Sequence, residues 1–368
     1  MSMKKRVLAW CILVILVVAI FLGLRHNASW YHTPIGEVTA TKVIQQQKST
    51  DQFNNTVATQ TQAVTVKLLN TADKGQVVHL KNTWDSSMAI TQSVKKHDQI
   101  FLSQADNHVW QFRTLKRDTI WLPILVFVIG VLLIAMGHAG RLTVLSLAIN
   151  VALFILTIYL DLVFTSQNIF WLFTGFSLVA AALTLGLVMG FKSQLMWVVY
   201  LTVITSTTLA MLVTLLVLDI TNKNGIHFEL MSYITQLPEP LFFTMTLVGV
   251  LGAVMDEATD MIATLFSLQV ERPNMSVSEI IQTGRHVGQE IFGALSNTLF
   301  LIFIAEQIPM TILYLRNGNN WGFTYMMNLS LGMIQTLISA IGIVLTVPAG
   351  IMWVLLVRKW QQRKEGIA

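Results

Sequence analysis

The chain has 368 residues, of which 54% are hydrophobic and only 12% charged, and its mean hydropathy is +0.62. Average soluble domains carry about 25% charge, so a soluble globular fold is excluded and a polytopic membrane protein is indicated. The formal net charge of +5 does not point to nucleic acid, because the basic residues gather where membrane topology calls for them. The lone cysteine, Cys11, has no partner for an internal disulfide, and no Cys/His zinc pattern or cofactor motif occurs.

In chain order, Lys4-Lys5-Arg6 precede the apolar run Val7–Leu24. No small-x-small cleavage site follows, so residues 1–24 read as an uncleaved membrane anchor rather than a signal peptide. Further spans are expected at Ile120–Gly137, Leu142–Phe164, Ile169–Gly190, Leu195–Leu218, Leu241–Leu265, Gly288–Tyr314 and Leu329–Val357, with Pro348 and Gly350 kinking or tilting the last. The expected organisation is a 1–24 anchor, a polar extracytoplasmic β-rich domain over 25–119, a seven-helix membrane domain over 120–357, and a basic tail, 358–368. With the N-terminus inside, Lys4, Lys5, Arg6, Arg141, Lys192, Arg272, Arg285, Arg358, Lys359, Arg363 and Lys364 all fall on the cytoplasmic side. The positive-inside rule therefore places both termini in the cytoplasm.

Within 25–119, Ala63–Leu69, Gln76–Leu80 and Gln99–Leu102 alternate as strands, with Asp73-Lys74-Gly75 as a hairpin turn signal. Glu37–Ile44 and Val109–Phe112 are candidate edge strands. Gln45–Gln62, rich in Gln and Thr, reads as a linker or mobile insertion. His79, His97 and His108 lack metal-ligand spacing.

The sixth span is the most informative. Asp256, Glu257 and Asp260 follow LFFTMTLVGVLGAVM without a break, and a charge at mid-bilayer costs at least about 2.5 kcal/mol unless paired or hydrated. Gly249, Gly252, Ala253, Asp256 and Asp260 share one helical face, with Glu257 roughly 100° around. Small residues at such spacings favour close helix packing, an expectation that extends to Gly186 and Gly190 in the fourth span and to Gly293 in the seventh. After the turn Arg272-Pro273-Asn274, Ser276-Val277-Ser278-Glu279 has the form of a capping box. The helix it opens carries Arg285, His286, Glu290 and Asn297 to the depth of the three acids. Structurally, Arg285, together with Arg272 or Lys192, would pair with the acids and fix the hairpin. Functionally, Asp256, Glu257, Asp260 and Glu290 would form a surplus-carboxylate site for a cation or proton, with His286 as a proton-sensitive neighbour and Asn297 as a ligand.

Elsewhere, Asn150 reads as a helix-to-helix hydrogen bond. The cluster Thr202, Thr205, Ser206, Thr207 and Thr208 reads as hydroxyls bonded back to their own helix. Trp121, Trp171, Trp321 and Trp353 read as interfacial anchors.

The segments VGVLGAVMDEATDMIATLFSL and RPNMSVSEIIQTGRHVGQEIFGALSNTLFL resemble the YibE/F-like membrane proteins of bacteria. In VKKHDQIFL, His97 stands where the resemblance implies a glycine, which predicts a looser turn. The resemblance implies residence in the bacterial cell membrane and a homo- or hetero-oligomer with a shorter related membrane protein. It implies no established activity. The reading is thus a permease-type subunit moving a small solute or ion. The alternative is a non-catalytic scaffold or envelope-assembly factor whose outer domain binds a protein or cell-wall partner. No G-x-S-x-G, H-E-x-x-H or Walker motif occurs, so an enzyme is not expected.

Overall fold

Eight helices among the described residues are long and apolar enough to cross a membrane, as the hydropathy pattern requires. The structure, a computed structural model, describes residues 3–86, 88, 91–105, 109–164, 168–231, 238–364 and 366. His108 lies outside them. The chain forms two units, Met1–Arg141 and Leu142–Ala368.

The first unit holds helix α1 (Met3–Arg25), strands β1 (Ile35–Thr50), β2 (Thr56–Leu68), β3 (Val77–Asp85), β4 (Gln99–Gln104) and β5 (Trp110–Leu115), and helix α2 (Asp118–Met136). The strands form one antiparallel sheet in the order β3-β2-β1-β4-β5. β3 and β5 also touch, so the sheet curls towards a barrel. Its core is built from alternate residues, Val64, Val66 and Leu68 on β2 with Val38, Ile100 and Leu102 beside them, as a half-buried sheet demands.

Three expectations for this unit change. Glu37–Ile44, expected as an edge strand, lies in β1, which is the central strand because it pairs with β2 on one side and β4 on the other. Gln45–Gln62 is no linker: Gln45 pairs with Thr61, and pairing continues to Thr50 and Thr56, so β1 and β2 extend as a polar ribbon. Each strand satisfies the other's backbone groups, which a polar side-chain sequence does not prevent. The turn at His97 is also closed rather than loose. His97 takes φ +73°, its N–H donates to Val38 O at 2.8 Å, and Lys95 N–H donates to the Asp98 carboxylate at 2.7 Å. Gly75, by contrast, meets its positive φ of 93° without a Cβ penalty.

α2 packs on α1, where Leu13 occupies the space that a Cβ on Gly130 would need. At the start of α2 the fully buried Lys116 ammonium lies 2.9 Å from the Asp118 carboxylate. It also donates to Leu24 O at 2.6 Å and lies 5.7 Å from the centre of the Tyr31 ring. Tyr31 Oη donates to Asp118 at 2.7 Å, and burial together with that carboxylate raises the phenol above its ordinary pKa.

The second unit holds α3 (His138–Phe164, from Leu142 on), α4 (Ile169–Met189), α5 (Gln194–Ile220), α6 (Pro238–Glu271), α7 (Val277–Arg316), α8 (Trp321–Thr324) and α9 (Ser330–Lys364). A π-helical turn, Tyr325–Leu329, joins α8 to α9, and α9 runs on through Pro348. α9 packs against α5, α6 and α7. Asn150 Nδ2 donates to Thr184 Oγ1 at 2.8 Å, tying α3 to α4 as expected. The Ser276–Glu279 capping box forms, with Glu279 N–H donating to Ser276 Oγ at 3.2 Å and Ser276 N–H to the Glu279 carboxylate at 2.6 Å. Trp121, Trp171 and Trp321 are exposed, but the Trp353 indole points inward and donates to Thr205 Oγ1 at 3.0 Å.

Candidate functional site

Along α6 the buried apolar positions recur every three or four residues: Phe243, Leu247, Val250, Val254, then Met261 and Leu265. The place between Val254 and Met261 on that stripe is filled by Glu257. Its exposure is 0%, and among the described residues neither carboxylate oxygen has a hydrogen-bond partner. The periodicity that packs α6 therefore carries an acid into the core.

Two close contacts define what surrounds that level. A Cβ on Gly342 of α9 would meet Val250 at 2.8 Å and Val254 at 3.0 Å on α6, and Ala210 at 3.6 Å on α5. A Cβ on Gly350 would run into Met261 on α6, with Thr202 of α5 at 3.5 Å and Ile262 at 3.6 Å. On α5 and α9 these contacts are eight residues apart, about 12 Å of helix. Midway between them lie Ser206 on α5, Thr346 on α9 and Glu257 on α6. Thr346 is fully buried and bonded to Gly342 O at 3.0 Å. Ser206 and its neighbour Thr207 are buried, and their hydroxyls have no partner among the described residues. Three packed helices thus place a carboxylate and two unsatisfied hydroxyls at one depth. A further buried, unpartnered hydroxyl, Ser177, sits on α4, which also packs on α6.

Burying an ionised carboxylate without a counter-charge is costly enough that such groups are paired, coordinated or neutral. The arrangement at Glu257 is therefore suited to holding a proton, or a small cation with the hydroxyl oxygens as neutral ligands. Within α5, Thr202 and Thr205 bond back to Val198 O and Leu201 O as the sequence implies. Ser206 and Thr207, given the same reading, do not.

The residues singled out from sequence fall on two faces. Asp256 and Asp260 lie on the exposed side of α6. Gly249 and Gly252 share that side, and no backbone approaches either: a Cβ on Gly249 would meet only Gln335 Nε2, at 3.5 Å, and one on Gly252 nothing within 4 Å. The expected small-residue packing face is thus an open one, because the bulkier stripe through Glu257 buries more apolar area. Helix packing uses other glycines: Gly342 and Gly350 against α6, and Gly284 and Gly288 of α7 against Ile351 and Val347 of α9. Gly293 is likewise open, Gly190 is the α4 C-cap at φ +87°, and Gly186 meets the ring of Phe191 rather than another span.

On α7, Arg285, His286, Glu290 and Asn297 are all exposed. His286 Nε2 lies 4.0 Å from Glu290 Oε1. The shared depth of the two helices does hold: the short turn through Arg272 joins them, and a Cβ on Gly284 would sit 3.4 Å from Leu265. Counting six residues on from Gly284 and six back from Leu265 brings Glu290 level with Thr259, between Glu257 and Asp260. The expected ion pairs do not form, since among the described residues none joins Asp256 or Asp260 to Arg285, Arg272 or Lys192. Nor do the described residues contain a His/Cys/Asp/Glu group arranged for a metal ion.

A family model described as YibE/F-like protein matches residues 124–359, and one described as the YibE/F family N-terminal domain matches residues 29–114. No curated protein and no solved structure is matched.

Proposed function

The chain belongs to the YibE/F-like family of membrane proteins, and from that premise we propose that it is a permease-type subunit that moves a proton or small cation, alone or with a solute, by way of Glu257. The observation that carries this reading is the fully buried Glu257 carboxylate, unpartnered and level with two unpartnered hydroxyls. Intramembrane acids of this kind mark ion pathways more often than structural locks. Ser206 and Thr207 would supply neutral oxygen ligands.

Asp256, Asp260 and Glu290, the acids first singled out as coupling groups, stand on a face that one chain leaves uncovered. In a bilayer such a face requires water or a second polypeptide. That need supports assembly with another copy or with a shorter related membrane protein, in a bacterial cell membrane with both termini cytoplasmic. The test is flux in proteoliposomes loaded with a pH-sensitive dye. Glu257→Gln is expected to abolish proton-coupled or cation flux at normal folded yield. Undiminished flux in that variant ends the proposal.

A second reading, an envelope scaffold, draws on the outer module. The polar ribbon beyond Val43 on β1 and Thr61 on β2 is largely exposed and has the reach of a docking arm. Shortening the ribbon is expected to remove a co-purifying partner under that reading and to leave flux intact under the first.

A further inference from the structure

A cavity of about 500 Å³ opens among α6, α7 and α9, nearer the N-terminal end of α6 than Glu257 is. That volume lies within the range of small-molecule sites, about 300–1,000 Å³. Among the described residues that line it, only Glu306 carries a formal charge, and no lysine, arginine or histidine is among them. The carboxamide residues Gln307, Asn328 and Gln335 share the lining with Glu306, and Phe242, Phe303 and Met245 are among its apolar members.

The walls are held in place by contacts of their own. Phe303 is 8% exposed and lies where a Cβ on Gly332 would have to go, so α7 and α9 seat this ring directly. The π turn carries Asn328, whose Nδ2 donates to Thr311 Oγ1 on α7 at 3.1 Å. Such turns are frequent at functional sites. Ser339, Thr336 and Ser330 spend their hydroxyls on their own helix. That leaves the Glu306 carboxylate and the side-chain amide oxygens of Gln307, Asn328 and Gln335 as acceptors able to orient a ligand. Gly249 widens the space opposite Gln335, since a side chain there would project at the amide.

We propose that this cavity binds a small organic monocation, an ammonium bearing an apolar body, with Glu306 as its counter-charge. One carboxylate balances one positive charge, and the neighbouring carbonyl oxygens accept from N–H or polarised C–H groups. Phe242 and Phe303 line the cavity as aromatic side chains, the residue class that favours quaternary and primary ammonium groups. The donor set does not suit a hard divalent ion, which takes six or more oxygens. An anion would face Glu306 with no cationic side chain in compensation. The site is separate from Glu257, and the inference does not depend on the transport reading.

The test is binding of benzyltrimethylammonium to the full chain in phosphatidylglycerol nanodiscs, beside its neutral isostere neopentylbenzene. Saturable binding is expected for the cation, at least tenfold tighter than for the isostere. Glu306→Gln is expected to weaken it tenfold or more, and Gly249→Leu to do the same by filling the space before Gln335, both with unchanged thermal unfolding. Equal affinity for cation and isostere, or an unaltered Kd in Glu306→Gln, overturns the proposal. Adding phosphatidylethanolamine to the discs separates the sources of the ammonium. Competition assigns it to a lipid headgroup and its absence to a free solute, and both results uphold the cation site.

Discussion

Replacing Glu257 by methionine is expected to make the protein more stable and less active at once. An unsatisfied buried polar group costs about 1–3 kcal/mol, and a charged one more. Glu257 carries two such oxygens at 0% exposure. Methionine keeps an unbranched stem of similar length and fills irregular space well, so the variant sheds the polar cost while retaining the packing between Val254 and Met261. A gain of about 2 kcal/mol corresponds to a rise of roughly 4–8 °C in apparent Tm for a unit the size of Leu142–Ala368. Tryptophan fluorescence of the detergent-purified chain, melted at one fixed scan rate, reads the shift, and proteoliposome flux reads the loss of function. Were Glu257 a structural acid with a donor, removing it would instead strand that donor and cost about 3–5 kcal/mol. A methionine variant melting several degrees below the native chain would therefore refute the reasoning, whatever its flux.

Other expectations concern the outer module. His97→Gly should raise its denaturant midpoint by about 1 kcal/mol of stability, because φ +73° costs a side-chain-bearing residue and not glycine; an unchanged midpoint would show that the Glu37 contact at 3.1 Å offsets the strain. Lys116→Ala leaves the Asp118 carboxylate without its ammonium and should cost about 3 kcal/mol, seen as faster limited proteolysis of 25–119; protease resistance equal to the native chain would contradict it. At the ribbon tip, the Asn55 carboxamide and backbone N–H, with the N–H of Phe53, hold the Asp51 carboxyl below its usual range. A depressed folded value means that its contribution is present above the ordinary aspartate pKa of about 3.9 and is lost as pH falls through the lowered one. The protection of the Phe53 and Asn55 amides, taken relative to their intrinsic exchange rates at each pH, should then fall at acid pH in the native chain, whereas in Asp51→Asn this acid-dependent step should vanish.

Spans, strands and the capping box were legible because each is written in a one-dimensional signal. Runs of apolar residues give length, alternation gives the core face of β2, and Ser276 with Glu279 gives the helix start. The depth shared by the acids of α6 and the polar residues of α7 was equally readable, since a short turn and a constant rise per residue fix axial position. Rotation about the helix axis was not. The small face through Gly249, Gly252 and Asp256 and the bulky stripe through Val250, Val254 and Glu257 are both regular, and only the helices packed alongside choose between them. They choose the stripe because Gly342 and Gly350 of α9 present surfaces on which Val250, Val254 and Met261 seat closely. That choice buries Glu257, turns Asp256 and Asp260 outward, and leaves Gly249 facing a cavity. The ribbon over Gln45–Gln62 escaped notice for a related reason: its polar residues show no buried face, and their order comes from a paired strand.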